Sequence, residues 1–412
     1  MNFNIDHACP QCGAPVVLEE TDRVLDCPYC RVKLCMTSKG PYRYCMVPKN
    51  APKDIIYLPY WRLRGILYSA VPCKVDSQFL DASRLAASFP FAPHTLGLRT
   101  QALNLLFSSQ GIPGRFVAPS IPFAVTLKGI EAGLSGLRLS LSDEALERAY
   151  IGETTSIIHA PYYVRDGRLM DAILNEPVGP MPEDAQDFDP GIFTPVTWEP
   201  GFLPAMCPDC GWGLSGDKDS VVFLCENCDS AWQPRGDKFT PVAVGTAATE
   251  EKEPVYLPFW RIRCEVEGIK LSSYADMIRL ANMPKAIQAE WERQPFGFWI
   301  PAFKVHPNLF IRLSRQLTTF PITSGVEERV PRKVKTHPVN LPLSEAAQSL
   351  KLCVASFGKP KRTIFQKLPS IRITPKKGGL VYVPFRTHGA EYVQDELGIA
   401  ISITALYHGQ SL

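Results

Sequence analysis

The apolar pattern of the chain occurs twice. Residues 55–67 are almost wholly apolar or aromatic and predict a strand containing Tyr57-Leu-Pro-Tyr-Trp-Arg-Leu-Arg64; the octet returns as Tyr256-Leu-Pro-Phe-Trp-Arg-Ile-Arg263. Proline gives no N–H to a ladder, so Pro59 predicts an edge strand or a strand start. Apolar positions at 79, 80, 82, 85 and 86, and at 98, 102, 103, 105, 106 and 107, have helical spacing and predict helices over 79–87 and 98–107. Further helices are predicted around Leu127, Ile130, Leu134 and Leu137, and around Leu309, Phe310, Leu313 and Leu317. Phe116-Val-Ala-Pro-Ser-Ile-Pro-Phe123 reads as the counterpart of Phe298-Trp-Ile-Pro-Ala-Phe303, with Pro119 opposite Pro301. Leu141-Ser-Asp-Glu resembles Leu343-Ser-Glu-Ala, where Ser142 or Ser344 caps a short helix, and His159-Ala-Pro-Tyr-Tyr resembles Tyr382-Val-Pro-Phe-Arg. The repetition runs nearly the whole length and predicts an internal duplication of α+β class. Each half is a small ribbon followed by a β-rich α+β domain.

The ribbons are defined by cysteine. Cys9-Pro-Gln-Cys12-Gly13 with Cys27-Pro-Tyr-Cys30, and Cys207-Pro-Asp-Cys210-Gly211 with Cys225-Glu-Asn-Cys228, both read C-x2-C-x14-C-x2-C, 198 residues apart. Four thiolates on two tight turns suit a tetrahedral ion, so the spacing predicts two structural Zn²⁺ per chain. Gly13 fits a turn through positive φ. Pro15-Val-Val-Leu-Glu and Arg23-Val-Leu-Asp predict one hairpin with a knuckle at each end. His7, Cys35 and Cys45 are alternate ligands or, as the second copy has no equivalents, ordinary buried residues. Trp212 and Trp232 flank the second set and are expected to shield its sulfurs.

Through Cys9-x2-Cys12-Gly13 and Cys27-Pro28-x-Cys30 the modules resemble the zinc-ribbon and short rubredoxin-like families. The resemblance implies a ribbon fold with a structural metal. Arg31 and Asp229 stand where the rubredoxin pattern has glycine, which favours zinc over an iron redox site. The layout also resembles uncharacterised bacterial double zinc-ribbon proteins, a likeness that implies no activity.

Domain boundaries follow: ribbon 1–48, α+β domain 49–174, linker 175–205 with seven prolines and six acidic residues, ribbon 206–239, and α+β domain 240–412 with a polar connector at 240–253. The 412 residues are 45% hydrophobic, enough for several buried cores, and no run of about 18 apolar residues predicts a membrane span. Thirteen cysteines, with no secretion signal ahead of them, point to a reducing, cytoplasmic setting.

Charge is uneven. Residues 326–377 carry twelve Lys/Arg against three Glu, a local +9 in a chain of net +3. Arg332, Lys333, Lys335, Lys359, Lys361, Arg362, Lys376 and Lys377 are candidate contacts for nucleic acid, an acidic protein or an acidic lipid surface. Read otherwise, they are solvated loops and strand ends. Tyr60 and Trp61 with Arg62 and Arg64 read as a stacking platform or as a core strand whose arginines face solvent. The segment 211–218 misses a phosphate loop, with Asp217 where lysine belongs, and no zincin, hydrolase-elbow or dinucleotide motif is present. The expected function is a non-catalytic scaffold that binds a protein partner. A nucleic-acid accessory factor and rubredoxin-like electron transfer are the alternatives.

Overall fold

A computed structural model of the chain describes residues 3–49, 54–97, 104–136, 145–181, 192–322 and 325–408. The first cysteine module is two hairpins, β1 (Asn4–Ala8) with β2 (Pro15–Glu19) and β3 (Val24–Asp26) with β4 (Lys33–Thr37). The single hairpin expected from 15–19 and 23–26 does not form, because each run pairs across its own knuckle instead.

The first sheet contains β5 (Tyr42–Cys45), β6 (Ile56–Val71), β7 (Lys74–Leu85), β8 (Leu106–Phe107) and β9 (Arg115–Phe116). After helix α1 (Phe123–Gly136) it is completed by β10 (Glu147–Arg165), β11 (Arg168–Asp171) and β12 (Glu176–Pro180). β13 (Gly201–Pro204) leads into the second module, β14 (Phe223–Cys225), β15 (Ser230–Arg235) and β16 (Lys238–Val242). The second sheet is β17 (Val244–Ala247), β18 (Val255–Glu267), β19 (Phe298–Pro301), β20 (Val326–Glu327), β21 (Lys335–Thr336), β22 (Arg372–His388), β23 (Glu391–Gln394) and β24 (Ile399–Ser402). Its helices are α2 (Tyr274–Leu280), α3 (Ala289–Arg293), α4 (Pro307–Thr319), α5 (Leu343–Gln348), α6 (Leu350–Phe357), α7 (Lys361–Lys367) and α8 (Ile403–His408). The architecture is mixed but strand-dominated, more β-rich than the α+β expectation.

Both eight-stranded sheets follow one plan. In the first, β10 lies antiparallel to β6 and parallel to β5, β9 runs parallel to β6, and β7 antiparallel to it. In the second, β22 lies antiparallel to β18 and parallel to β17, β21 runs parallel to β18, and β19 antiparallel to it. Pro59 faces His159 and Pro258 faces Tyr382, as the sequence match of those segments requires. One sequence match is corrected. β19 pairs with β18 where the end of β7 pairs with β6, so Phe298–Pro301 corresponds to 82–85, while Phe116 sits where Thr336 does.

Several local expectations also change. Residues 79–85 are strand, not helix: a two-residue turn at Pro72-Cys73 folds β7 onto Tyr60–Val71 of β6, and those sheet bonds override helical spacing. Within 98–107, residues 98–103 lie outside the described residues and Leu106–Phe107 is strand. α1 and α4 form as expected, α4 burying Phe310, Leu313 and Leu317. Pro342, not Ser344, is the N-cap of α5, and Ser142 lies outside the described residues. β6 is central, not an edge. Pro59 falls in the gap between its partners β9 and β7, where no N–H is called for.

The halves are not beads on a string. On one face of β6, Ile56, Leu58 and Tyr60 pack with Ile5, Leu18 and Leu25 of the first ribbon, whereas Ile66, Tyr68 and Ala70 pack with the second half. Trp61, Leu63 and Leu67, on the other face, meet Ile130 of α1. Trp61 and Tyr60 are therefore core, not a stacking surface. Arg62 and Arg64 are buried at the junction, 5% exposed each, so the expectation that they face solvent is overturned. Arg62 lies 3.4 Å from buried Glu20 and pairs with Asp81. Their counterparts are more open: Arg261 is half-buried over the Trp299 ring and Arg263 is exposed.

The segment read as a linker is docked at both described ends. β12 joins the first sheet, β13 adds to β4, and Trp198 is buried with its indole N–H donating to Ser38 Oγ at 3.0 Å. Likewise the stretch 240–253 carries β17.

Candidate metal centres

Each knuckle is built the same way. The residue after the second cysteine takes positive φ, and in three of the four its N–H returns to the carbonyl of the first cysteine. Gly13 (φ 74) bonds Cys9 O at 2.8 Å, Arg31 (φ 59) bonds Cys27 O at 2.9 Å, and Gly211 (φ 72) bonds Cys207 O at 2.9 Å. Asp229 has φ 56 in the fourth knuckle. Arg31 and Asp229 thus adopt the left-handed conformation that glycine normally supplies.

These turns bring Cys9, Cys12, Cys27 and Cys30 into one group and Cys207, Cys210, Cys225 and Cys228 into another, each with its four sulfurs within 4.8 Å of one another. Cys9–Cys30 and Cys12–Cys27 sulfurs lie 3.8 and 3.7 Å apart; Cys207–Cys228 and Cys210–Cys225 lie 3.6 and 3.5 Å apart. A tetrahedral ion with metal–sulfur bonds of about 2.3 Å has sulfur edges of about 3.8 Å, so both groups could hold a metal ion. The separation is far too long for a disulfide. In each group the first and third cysteines are buried and the second and fourth exposed.

In each group a thiol is lowered by backbone donors, while, against the Val32 N–H and the Ser230 hydroxyl, desolvation and contacts with the neighbouring sulfurs push Cys30 and Cys228 up to about 12. The N–H of Cys30, acting against desolvation, draws the Cys27 thiol down to about 7. At Cys207 desolvation is outweighed by the N–H groups of Cys210 and Asp209 and by the Ser230 hydroxyl, which bring it to about 6. Metal binding requires the deprotonated form.

Beyond the ligands the two centres differ. Ser230 Oγ lies 3.0 Å from Cys228 Sγ and 3.7 Å from Cys207 Sγ, and accepts the Trp232 indole N–H at 2.7 Å. Trp232 is buried and covers its cluster as expected, whereas Trp212 is 62% exposed and does not. The sequence pattern does not single out Ser230; a hydroxyl two residues past the last cysteine is the available signal. In the first ribbon Cys35 and Cys45 are fully buried and His7 stacks on Phe202, so none is a ligand of the cluster.

The ribbons are joined to each other. Val24 and Cys35 share a core with Cys207, Cys225, Phe223 and Trp232. Arg23 and Val24 N–H groups donate to Lys218 O at 2.6 and 3.0 Å, Lys33 Nζ to Gly216 O at 2.6 Å, and Thr37 Oγ1 to Gly236 O at 2.7 Å.

The basic residues fall in separate places. Arg332 forms a bidentate pair with Asp229 beside the second knuckle, Lys335 reaches the Tyr392 hydroxyl, and Lys376 pairs with Glu265. Lys361 donates to the carbonyls of Ala355 and Ser356, and its burial lowers its ammonium to about 8. Lys333, Lys359, Arg362 and Lys377 are exposed. No family model matches the chain, and comparison with curated proteins and with solved structures gives no match either.

Proposed function

We propose that the chain is a non-catalytic zinc-binding scaffold that mediates protein–protein interaction. The observation that carries this reading is the pair of four-cysteine clusters, each offering four sulfurs to one ion, a set that would leave no position for substrate. Each ion would fix a ribbon too small to fold alone, supplying on the order of 10 kcal/mol. Around the clusters Tyr29, Trp212 and Met206 stand 65%, 62% and 54% exposed, apolar groups of the kind that anchor partners. The shared plan of the two sheets supports an internal duplication. Eight of the thirteen cysteines stand in the two metal-type groups, a usage that suits a reducing, cytoplasmic setting.

The engagement of Arg332, Lys335, Lys361 and Lys376 within the protein disfavours a basic footprint for nucleic acid. The test is quantitative capture with the tagged full chain under gentle conditions. The expected result is a stoichiometric protein partner that is lost from the Tyr29→Ala/Trp212→Ala variant while the metal is retained. Capture of nucleic acid alone, or of nothing, contradicts the reading.

A further inference from the structure

A cavity of about 380 Å³ lies where β10 and α1 of the first half meet α5 of the second. Phe123 and Leu127 of α1 and Tyr150 of β10 form its apolar wall, and Glu345, Thr155 and Gln348 are among its polar groups. The Phe123 and Tyr150 rings are 5.9 Å apart, and the Tyr150 hydroxyl donates to Arg64 O at 2.8 Å, which fixes the aromatic wall in place. The register shift of β10 between Gly152 and Thr154 falls at the cavity, and a Cβ at Gly152 would meet the Tyr150 ring at 3.0 Å. Bulges of this kind often re-aim groups at binding sites.

The charged residues of the lining are Glu147, Arg148 and Glu345. Glu147 is paired with Lys351 at 2.8 Å, and Arg148 is engaged as well. Glu345 differs. The Gly152 N–H donates to its carboxyl, yet Oε2 is buried with no hydrogen-bond partner among the described residues. Lys304 and Arg23 act on this carboxyl only through their charge. A buried acceptor without a donor is costly, and it suits a ligand that brings one. The chemistry that completes the site is a hydrogen-bond donor with positive charge for the carboxylate, carried on an apolar body for the rings. A metal ion does not fit, because the described residues gather no three ligands here.

We propose that this cavity binds a small primary amine with an aromatic body, its ammonium at Glu345 and its ring against Phe123, Leu127 and Tyr150. An ammonium group offers several N–H donors and a charge to the carboxylate, and it is attracted to the faces of neighbouring rings. The size of the cavity, at the low end for ligand pockets, selects an amine with one ring over a larger one. The proposal is independent of the metal reading.

The test is calorimetric titration of the full chain, with its native metal content, against phenethylamine, phenethyl alcohol and phenylpropionate. It is run at about pH 8, where the Glu345 carboxyl, raised to about 7 by its burial, is ionised. Phenethylamine should bind one per chain. Phenethyl alcohol, the same body without the charge, should bind about tenfold or more weaker, and phenylpropionate, with the opposite charge, should give no measurable heat. Glu345→Gln should bring phenethylamine to the level of the alcohol without changing the alcohol. Leu127→Trp, which fills the hollow, should abolish both while the circular dichroism spectrum is kept. Equal affinity for amine and alcohol, absence of amine binding, or unchanged amine binding by either folded variant overturns the proposal.

Discussion

Arg62 and Glu20 face each other at 3.4 Å with side chains only 6% and 0% exposed, linking the central strand of the first sheet to the first ribbon. Thr154 Oγ1 also donates to Glu20 at 2.8 Å. Removing Glu20 leaves the buried Arg62 with the half-exposed Asp81 in place of a buried partner, whereas replacing both by apolar groups removes the two buried charges together. Glu20→Ala should cost about 3–5 kcal/mol, and Glu20→Leu/Arg62→Met much less. Urea unfolding of the two variants decides it; a loss under about 1 kcal/mol for Glu20→Ala would show that water reaches the pair.

The contact between the ribbons depends on a missing side chain. A Cβ at Gly201 would lie 2.3 Å from Thr37 Oγ1, the hydroxyl that donates to Gly236 O. Gly201→Ala should turn Thr37 away, lose that bond, and destabilise the protein by about 1–2 kcal/mol. Amide exchange at Phe202 and Leu203, which lie on the strand paired with β4, should quicken. Unchanged exchange at both amides would contradict the role given to Gly201.

Arg31 occupies a left-handed conformation at φ 59 with its side chain exposed. Arg31→Gly should therefore hold metal as well as the parent and gain about 0.5–1 kcal/mol in thermal unfolding. A loss of stability would reveal a contact of the guanidinium that outweighs the backbone strain.

Glu345 of α5 is desolvated at the seam, which raises its carboxyl to about 7, although Lys304, Arg23 and the Gly152 N–H oppose the shift. The folded chain then holds a proton up to about pH 7 that the unfolded chain releases near 4.5. The associated stability is fully present below about pH 4.5 and is lost as the pH rises to about 7, on the order of 3 kcal/mol. Glu345→Gln should flatten this part of the stability–pH curve and be the more stable protein at pH 8. A curve unchanged by the substitution would remove Glu345 as its cause.

The cysteine spacing made the metal clusters legible, because a C-x2-C knuckle is a local object that needs only its own turn. Trp61 and Trp260 were legible as core for a similar reason: their octets repeat, and the structure gives each the same anchor, Ile121 O at 2.8 Å and Leu341 O at 2.9 Å. Partner choice was not legible. Residues 79–85 have helical spacing yet form a strand, since β6 offered a full row of sheet bonds that no local pattern records. The burial of Arg62 and Arg64 likewise depends on Glu20 and on the second half, both distant in sequence. The placement of the ribbons against each other arises from β13, drawn from a proline-rich stretch whose composition suggested no fixed structure.

The central claim, two structural zinc ions in closed four-cysteine sites, is tested most directly by elemental analysis of the purified full chain beside its Cys27→Ser and Cys225→Ser variants. The expected result is about two zinc and no iron per parent chain, and about one zinc in each variant. Iron in the parent, or less than one metal ion per chain, would contradict it.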